Sequence, residues 1–151
     1  MKKWLPWLFF VFIVLLAQGC SKGVLVPNQS SITGTWMLSE SSQSNGIGWH
    51  YFNTGLEGGV FSFYNNGSAR YEDEYSQMNG SWDIRTVSAG YYDQYGKYYN
   101  DIHEMFELHV NDRYTNNSID LYFDDIVITG NSIIATSYNG NTISRYVFRR
   151  Y

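Results

Sequence analysis

The chain has little of several things, and each shortage excludes a class. One cysteine in 151 residues, Cys20, leaves no internal disulfide and no cysteine-based zinc site. Two prolines exclude a polyproline segment, and 16 % charged residues with 19 % aromatics are too few and too many, respectively, for a disordered chain. No Gly-rich phosphate loop and no Gly-x-Ser-x-Gly nucleophile motif occurs, and nothing calls for a cofactor. Basic residues are scarce as well. Lys2 and Lys3 are the only charges in residues 1–19, so the remainder holds eight bases against fourteen acids, a net −6. An acidic domain without a basic stripe argues against nucleic-acid partners and against electrostatic docking on anionic lipid.

What is present begins with a delivery signal. Met1-Lys2-Lys3 is followed by fourteen uncharged residues, Trp4 to Ala17. As a helix they would span about 21 Å, short of a hydrocarbon core of about 30 Å, which is the proportion of a secretory signal and not of a membrane span. The run ends Leu15-Leu16-Ala17-Gln18-Gly19-Cys20. Small residues before a lone Cys resemble the lipobox of bacterial lipoproteins. The resemblance implies cleavage before Cys20, a diacylglycerol on its sulfur and an acylated amino group such as a palmitoyl chain. Several acyl chains, at about 0.8 kcal/mol per buried CH₂, hold a protein on a membrane in effect permanently. Residues 20–31 then read as the acylated Cys and a flexible tether. No acidic cluster follows Cys20, so the expected location is the cell envelope, periplasmic side by default, with the cell surface as the other possibility.

From Ile32 onward the hydropathy pattern has period two with short breaks, and nothing of useful helical length survives. Expected strands are Ile32–Glu40, Val60–Tyr64, Ser68–Tyr75, Ser81–Val87, Glu104–Val110, a bent 118–128, Ser132–Tyr138 and Thr142–Arg150. Asn-Gly and Gly-Asn pairs at 66–67, 79–80, 130–131 and 139–140 supply turns. Trp49 to Phe52, inside the long Ser41–Gly59 link, is either a short helix or an edge strand. Eight strands in sequential hairpins suggest an all-β, up-and-down antiparallel barrel over 32–151, wide enough for its own side chains or one small ligand. Its expected inward residues are Phe61, Phe63, Tyr71, Trp82, Ile84, Phe106, Leu108, Ile119, Leu121 and Phe123.

Gly34-Thr35-Trp36, the Phe63-to-Ser68 hairpin, Gly80-Ser81-Trp82 and the closing Tyr146-x-Phe148-Arg149-Arg150 together resemble the lipocalin-like domains of small bacterial envelope lipoproteins. That resemblance implies that Trp36 closes the barrel floor with an arginine packed across its ring: Arg149 first, Arg150 or Arg145 next. It also implies a non-enzymatic binding protein. A small apolar or amphipathic ligand would sit in the barrel. The alternative is a filled barrel that works as a structural, inhibitor-type or protein-binding factor through its aromatic loops.

Three constellations remain. His103, Met105, Glu107 and His109 share one strand face, but His103 and His109 would stand about 20 Å apart and cannot share a metal ion. They are expected on a solvated outer face. Glu72, Asp73 and Glu74 with Asp124 and Asp125 could suggest a glycosidase carboxylate pair, yet Glu72 and Glu74 lie opposite apolar Tyr71 and Tyr75, as exterior residues do. The most unusual stretch is 91–99, with Tyr91, Tyr92, Tyr95, Tyr98 and Tyr99. Rings with hydroxyl tips suit recognition of sugars and proteins. They equally suit a long hairpin tip, turning at Asp93–Lys97, whose rings pair across strands.

Overall fold

The fold, taken from a computed structural model, is described for residues 29–151; Cys20, the leader and most of the tether lie outside the described residues. A single helical turn, α1 (Gln29–Ile32), leads into ten strands: β1 (Gly34–Ser44), β2 (Trp49–Tyr51), β3 (Val60–Phe63), β4 (Ser68–Glu72), β5 (Gln77–Tyr92), β6 (Tyr98–Asn111), β7 (Ser118–Phe123), β8 (Asp125–Thr129), β9 (Ser132–Asn139) and β10 (Thr142–Arg150).

The all-β antiparallel expectation holds. All pairings are antiparallel, in the order β7-β6-β5-β4-β3-β1-β10-β9-β8, with β2 paired separately to β1. The expected eight-stranded closed barrel does not. The last strand returns to pair with the first, Trp36 opposite Arg150, but the ladder is open between β7 and β8. The reason lies in the acidic kink. The segment read as one bent strand splits at Asp124: β7 spends its ladder on β6 and β8 spends its own on β9. Asp124 also covers the β9 edge beyond the start of β8, its Oδ2 accepting the Tyr138 N–H at 2.7 Å.

The sheet curls until both its ends share one core. Trp36, Leu38, Phe61, Phe63, Tyr71, Trp82, Ile84, Phe106, Leu108, Phe123, Ile126, Ile133 and Phe148 belong to it, and Leu121 packs against it half-buried. Ring contacts run unbroken through the interior. Trp82 meets Phe63, Phe63 meets Phe106, Phe106 stacks on Phe123, and Phe123 meets both Tyr146 and Phe148. Phe52 closes the chain against Tyr146 at 5.8 Å. Such rings contribute by apolar burial and by edge-to-face geometry, about 0.5–1.5 kcal/mol per pair beyond area.

Two further expectations change. Asn79-Gly80 is not a turn; both residues lie inside β5, and the chain reverses earlier, at Asp73–Ser76. There Asp73 Oδ1 accepts the N–H groups of Tyr75 and Ser76, and Tyr75 is left exposed beyond the strand. Gly80 is required for another reason. A Cβ on it would stand 1.9 Å from the His109 carbonyl oxygen, so only glycine lets β5 and β6 approach there. Residues 88–101, between the expected strands Ser81–Val87 and Glu104–Val110, are themselves largely strand. They carry β5 and β6 onward as a two-stranded arm, Ser88 opposite Ile102 and Tyr92 opposite Tyr98.

Candidate functional site

At the closed end of the core Trp36 is fully buried and its Nε1 donates to the Ile32 carbonyl at 2.7 Å. The residue over its ring is Arg150, with the guanidinium carbon 4.4 Å from the ring centre, and not Arg149. Alternation decides this. Arg150 is the cross-strand partner of Trp36 and shares its face, whereas Arg149 pairs with Met37 and points outward, exposed. Arg150 also donates to the carbonyls of Ser31, Thr33 and Gly130, tying the residues before β1 to the β8–β9 turn. Arg145 instead lies 4.7 Å over Trp49.

The unusual chemistry is on the reverse face of the sheet. Along the core face Ser41, Tyr146, Ala135 and Ile126 stand side by side across β1, β10, β9 and β8. One residue on, Ser42, Arg145, Thr136 and Asp125 form a parallel row on the opposite face. An outer row of this kind is expected to be wet. Here Ser42 and Thr136 are 1 % exposed and Asp125 6 %.

What covers the row is the β5–β6 arm. Tyr92 reaches Tyr138 of β9, ring centres 4.6 Å apart. Gln94 at the tip offers its carbonyl to Arg145 Nη1 at 3.4 Å. A methyl on Gly96 would touch Ile143 of β10 at 3.4 Å and Trp49 of β2 at 3.9 Å. The arm therefore crosses the outside of β8, β9, β10 and β2 like a strap, over the seam that the ladder leaves open. The turn is the expected one, the Asp93 N–H donating to the Lys97 carbonyl at 3.0 Å. The tyrosines do pair across strands, Tyr91 with Tyr99 at 5.7 Å and Tyr92 with Tyr98 at 5.3 Å. Tyr95 and Tyr98 keep more than half their surface in water.

The arm also corrects the reading of the histidine face. His103 and Met105 are buried, not solvated; His103 stacks on Tyr91 with ring centres 4.0 Å apart, and its Nδ1 donates to the Asp101 carbonyl. Glu107 and His109 lie farther along, where no arm covers them, and they pair with Arg85 and Asp120. Nothing in a local pattern could say that one half of a strand face is covered and the other is not.

Beneath the arm, hydrogen bonding is incomplete. Ser42 Oγ, Thr136 Oγ1 and Arg145 Nε are buried without a partner, although Arg145 holds Glu40 through Nη2 at 3.1 Å. An unmet buried polar group costs about 1–3 kcal/mol. Among the described residues Asp125 has no ion pair with an arginine or lysine. Burial pushes its carboxyl up to about 6, with Asp93 and Glu104 adding to the rise and His103 opposing it. Burial and the charges of Asp125 and Asp101 raise the Tyr91 hydroxyl to about 12. Of the acidic residues weighed from the sequence, Glu72 and Glu74 are exposed, Asp73 serves a turn and Asp124 an edge. Asp125 alone stands in an unusual environment, and its sequence signal was only the doubling of Asp at a strand kink.

Of the residues expected to contact a ligand in the interior, Phe61, Phe63, Tyr71, Trp82 and Phe106 are brought together, but against one another. Among the described residues no cluster of three His, Cys, Asp or Glu side chains could hold a metal ion, and no helix is long and apolar enough to cross a membrane. Comparison with family models, with curated proteins and with solved structures found no match.

Proposed function

We propose that the protein is a non-enzymatic binding module of the bacterial cell envelope, tethered to a membrane through acylated Cys20, that engages a protein partner through its tyrosine-rich arm. The tether rests on the leader and the Cys20 motif. The choice of surface over cavity rests on one observation: ring contacts run unbroken through the interior from Trp82 to Phe52. The Trp36–Arg150 stack supports the likeness to lipocalin-like domains, while the open ladder sets this chain apart from a closed barrel. Exposed Tyr95 and Tyr98 on a paired hairpin supply contact area with only two side-chain torsions each to freeze.

The test is a photo-crosslinking amino acid placed at Tyr95 in cells expressing the full chain, with native mass spectrometry of the detergent-extracted protein beside it. A discrete protein adduct at position 95, absent when the crosslinker replaces Glu74, together with a ligand-free mass, is the expected result. A stoichiometric small molecule on the extracted protein, with no adduct, would return the interior-ligand reading.

A further inference from the structure

We propose that the β5–β6 arm is a reversible strap, seated on the row Ser42–Arg145–Thr136–Asp125 while Asp125 is uncharged and released when Asp125 ionises.

Four observations carry this. First, polar side chains are buried where the arm lies: Ser42, Thr136, Asp125 and His103 sit there beside the Tyr92–Tyr138 ring contact. Second, three hydrogen-bonding atoms beneath the arm have no partner in the seated state. Water would satisfy all three once the arm lifts, so seating forfeits bonds that release restores. Third, the arm is held at its far end by few specific contacts: the Gln94–Arg145 bond, at 3.4 Å the longest kind that still counts, and the Tyr92–Tyr138 ring pair. Fourth, the arm leaves the sheet as a two-stranded ribbon, with Thr86, Ser88, Gly90, Asn100 and Ile102 exposed on its other face. Lifting it breaks no ladder, because its only backbone pairing is internal.

The groups around Asp125 set the sign. From β6 come His103 and Glu104, from the turn Asp93, and from β5 Tyr91. Thr136 faces it from β9, and Arg145, one strand further, is committed to Glu40 and to Trp49. Two carboxylates against one imidazole make a charged Asp125 unwelcome in the seated state. Lifting the arm exposes it to water, where a carboxylate ionises near pH 3.9. A group bound more tightly to its proton when seated favours seating at low pH and loses that preference as pH rises through about 6. His103 opposes this, drawing Asp125 toward its charged form. This inference does not depend on the proposed partner. It concerns the arm alone, and a failed crosslink would leave it standing.

The test uses the full chain in detergent micelles. Tyr95→Cys carries a bimane label, which a nearby indole quenches; Trp49 is close to the seated tip, and Trp49→Phe is the control for its share. Between pH 5 and pH 8 the quenched fraction should fall as the seating constant drops by about tenfold. In Asp125→Asn, which keeps the shape and cannot ionise, quenching should stay high throughout. Hydrogen exchange of the 85–105 amides, corrected for intrinsic rates, reads the same event in the unlabelled chain and serves if the labelled variant folds poorly. Constant quenching and constant arm protection from pH 5 to 8 would overturn the strap. A pH dependence that survives Asp125→Asn and vanishes in His103→Asn would overturn the assignment to Asp125.

Discussion

Arg150 reaches across the Trp36 indole because Gly34 has no side chain: a Cβ there would stand 2.5 Å from Arg150 Nη1. Gly34 also has φ +127°, a conformation that other residues adopt only with strain. Gly34→Ala should therefore destabilise the fold by about 1–3 kcal/mol in urea unfolding, from strain and from displacement of the arginine together. Arg150→Ala should remove the stack, worth about 0.5–2 kcal/mol, and Arg149→Ala should be close to neutral. Equal effects at 149 and 150 would contradict the register.

Gly80 has an ordinary backbone conformation, yet it tolerates no side chain, because the backbone of His109 and Val110 lies against it. Gly80→Ala should split the β5–β6 ladder at that point. Faster hydrogen exchange at 79–82 and 108–111, with β9 and β10 unaffected, is the expected readout.

Thr136→Val removes a buried hydroxyl that has no partner and keeps the shape of the side chain. Such a change should be neutral or stabilise by about 1 kcal/mol, where loss of a bonded hydroxyl would destabilise by a similar amount. Thermal unfolding at fixed pH distinguishes the two.

Asp125→Asn should raise stability at pH 8 and leave it nearly unchanged below pH 4. Burial holds the wild-type carboxyl near pH 6 in the folded state against about 3.9 in the unfolded chain. The wild-type protein thus keeps its full contribution below about pH 4 and loses it as pH rises through 6, by at most about 3 kcal/mol. Release of the arm caps that loss. Denaturation midpoints for both proteins at pH 4, 6 and 8 measure it; a wild-type curve flat over that range would refute the buried carboxyl.

Cys20→Ser should move the full-length protein from the membrane fraction to the soluble periplasmic fraction, without altering the unfolding of 29–151. Retention on the membrane would refute the acyl tether.

Much of the architecture was legible locally. The strand Thr142–Arg150 begins and ends where alternation does, and the hairpin at 93–97 turns where Asp and Gly place it. Asn79-Gly80 misled because a turn pair and a close-packing glycine look identical in one dimension. Arg149 misled by one residue, and in a strand one residue is the other face. The strap left no local trace, since its partners at 49, 125, 138 and 145 are brought beneath it only when the sheet curls.

By itself the sequence determined an all-β antiparallel chain with an aromatic core. Those follow from alternation, composition and short motifs, which are properties of neighbours along the chain. Only the tertiary structure decided that the ladder opens at Asp124, that Arg150 meets Trp36, and that a row of polar side chains on the outer face is sealed under the arm. Those outcomes depend on which strand ends meet after the sheet curls, and that meeting is set by the summed packing of residues far apart in sequence.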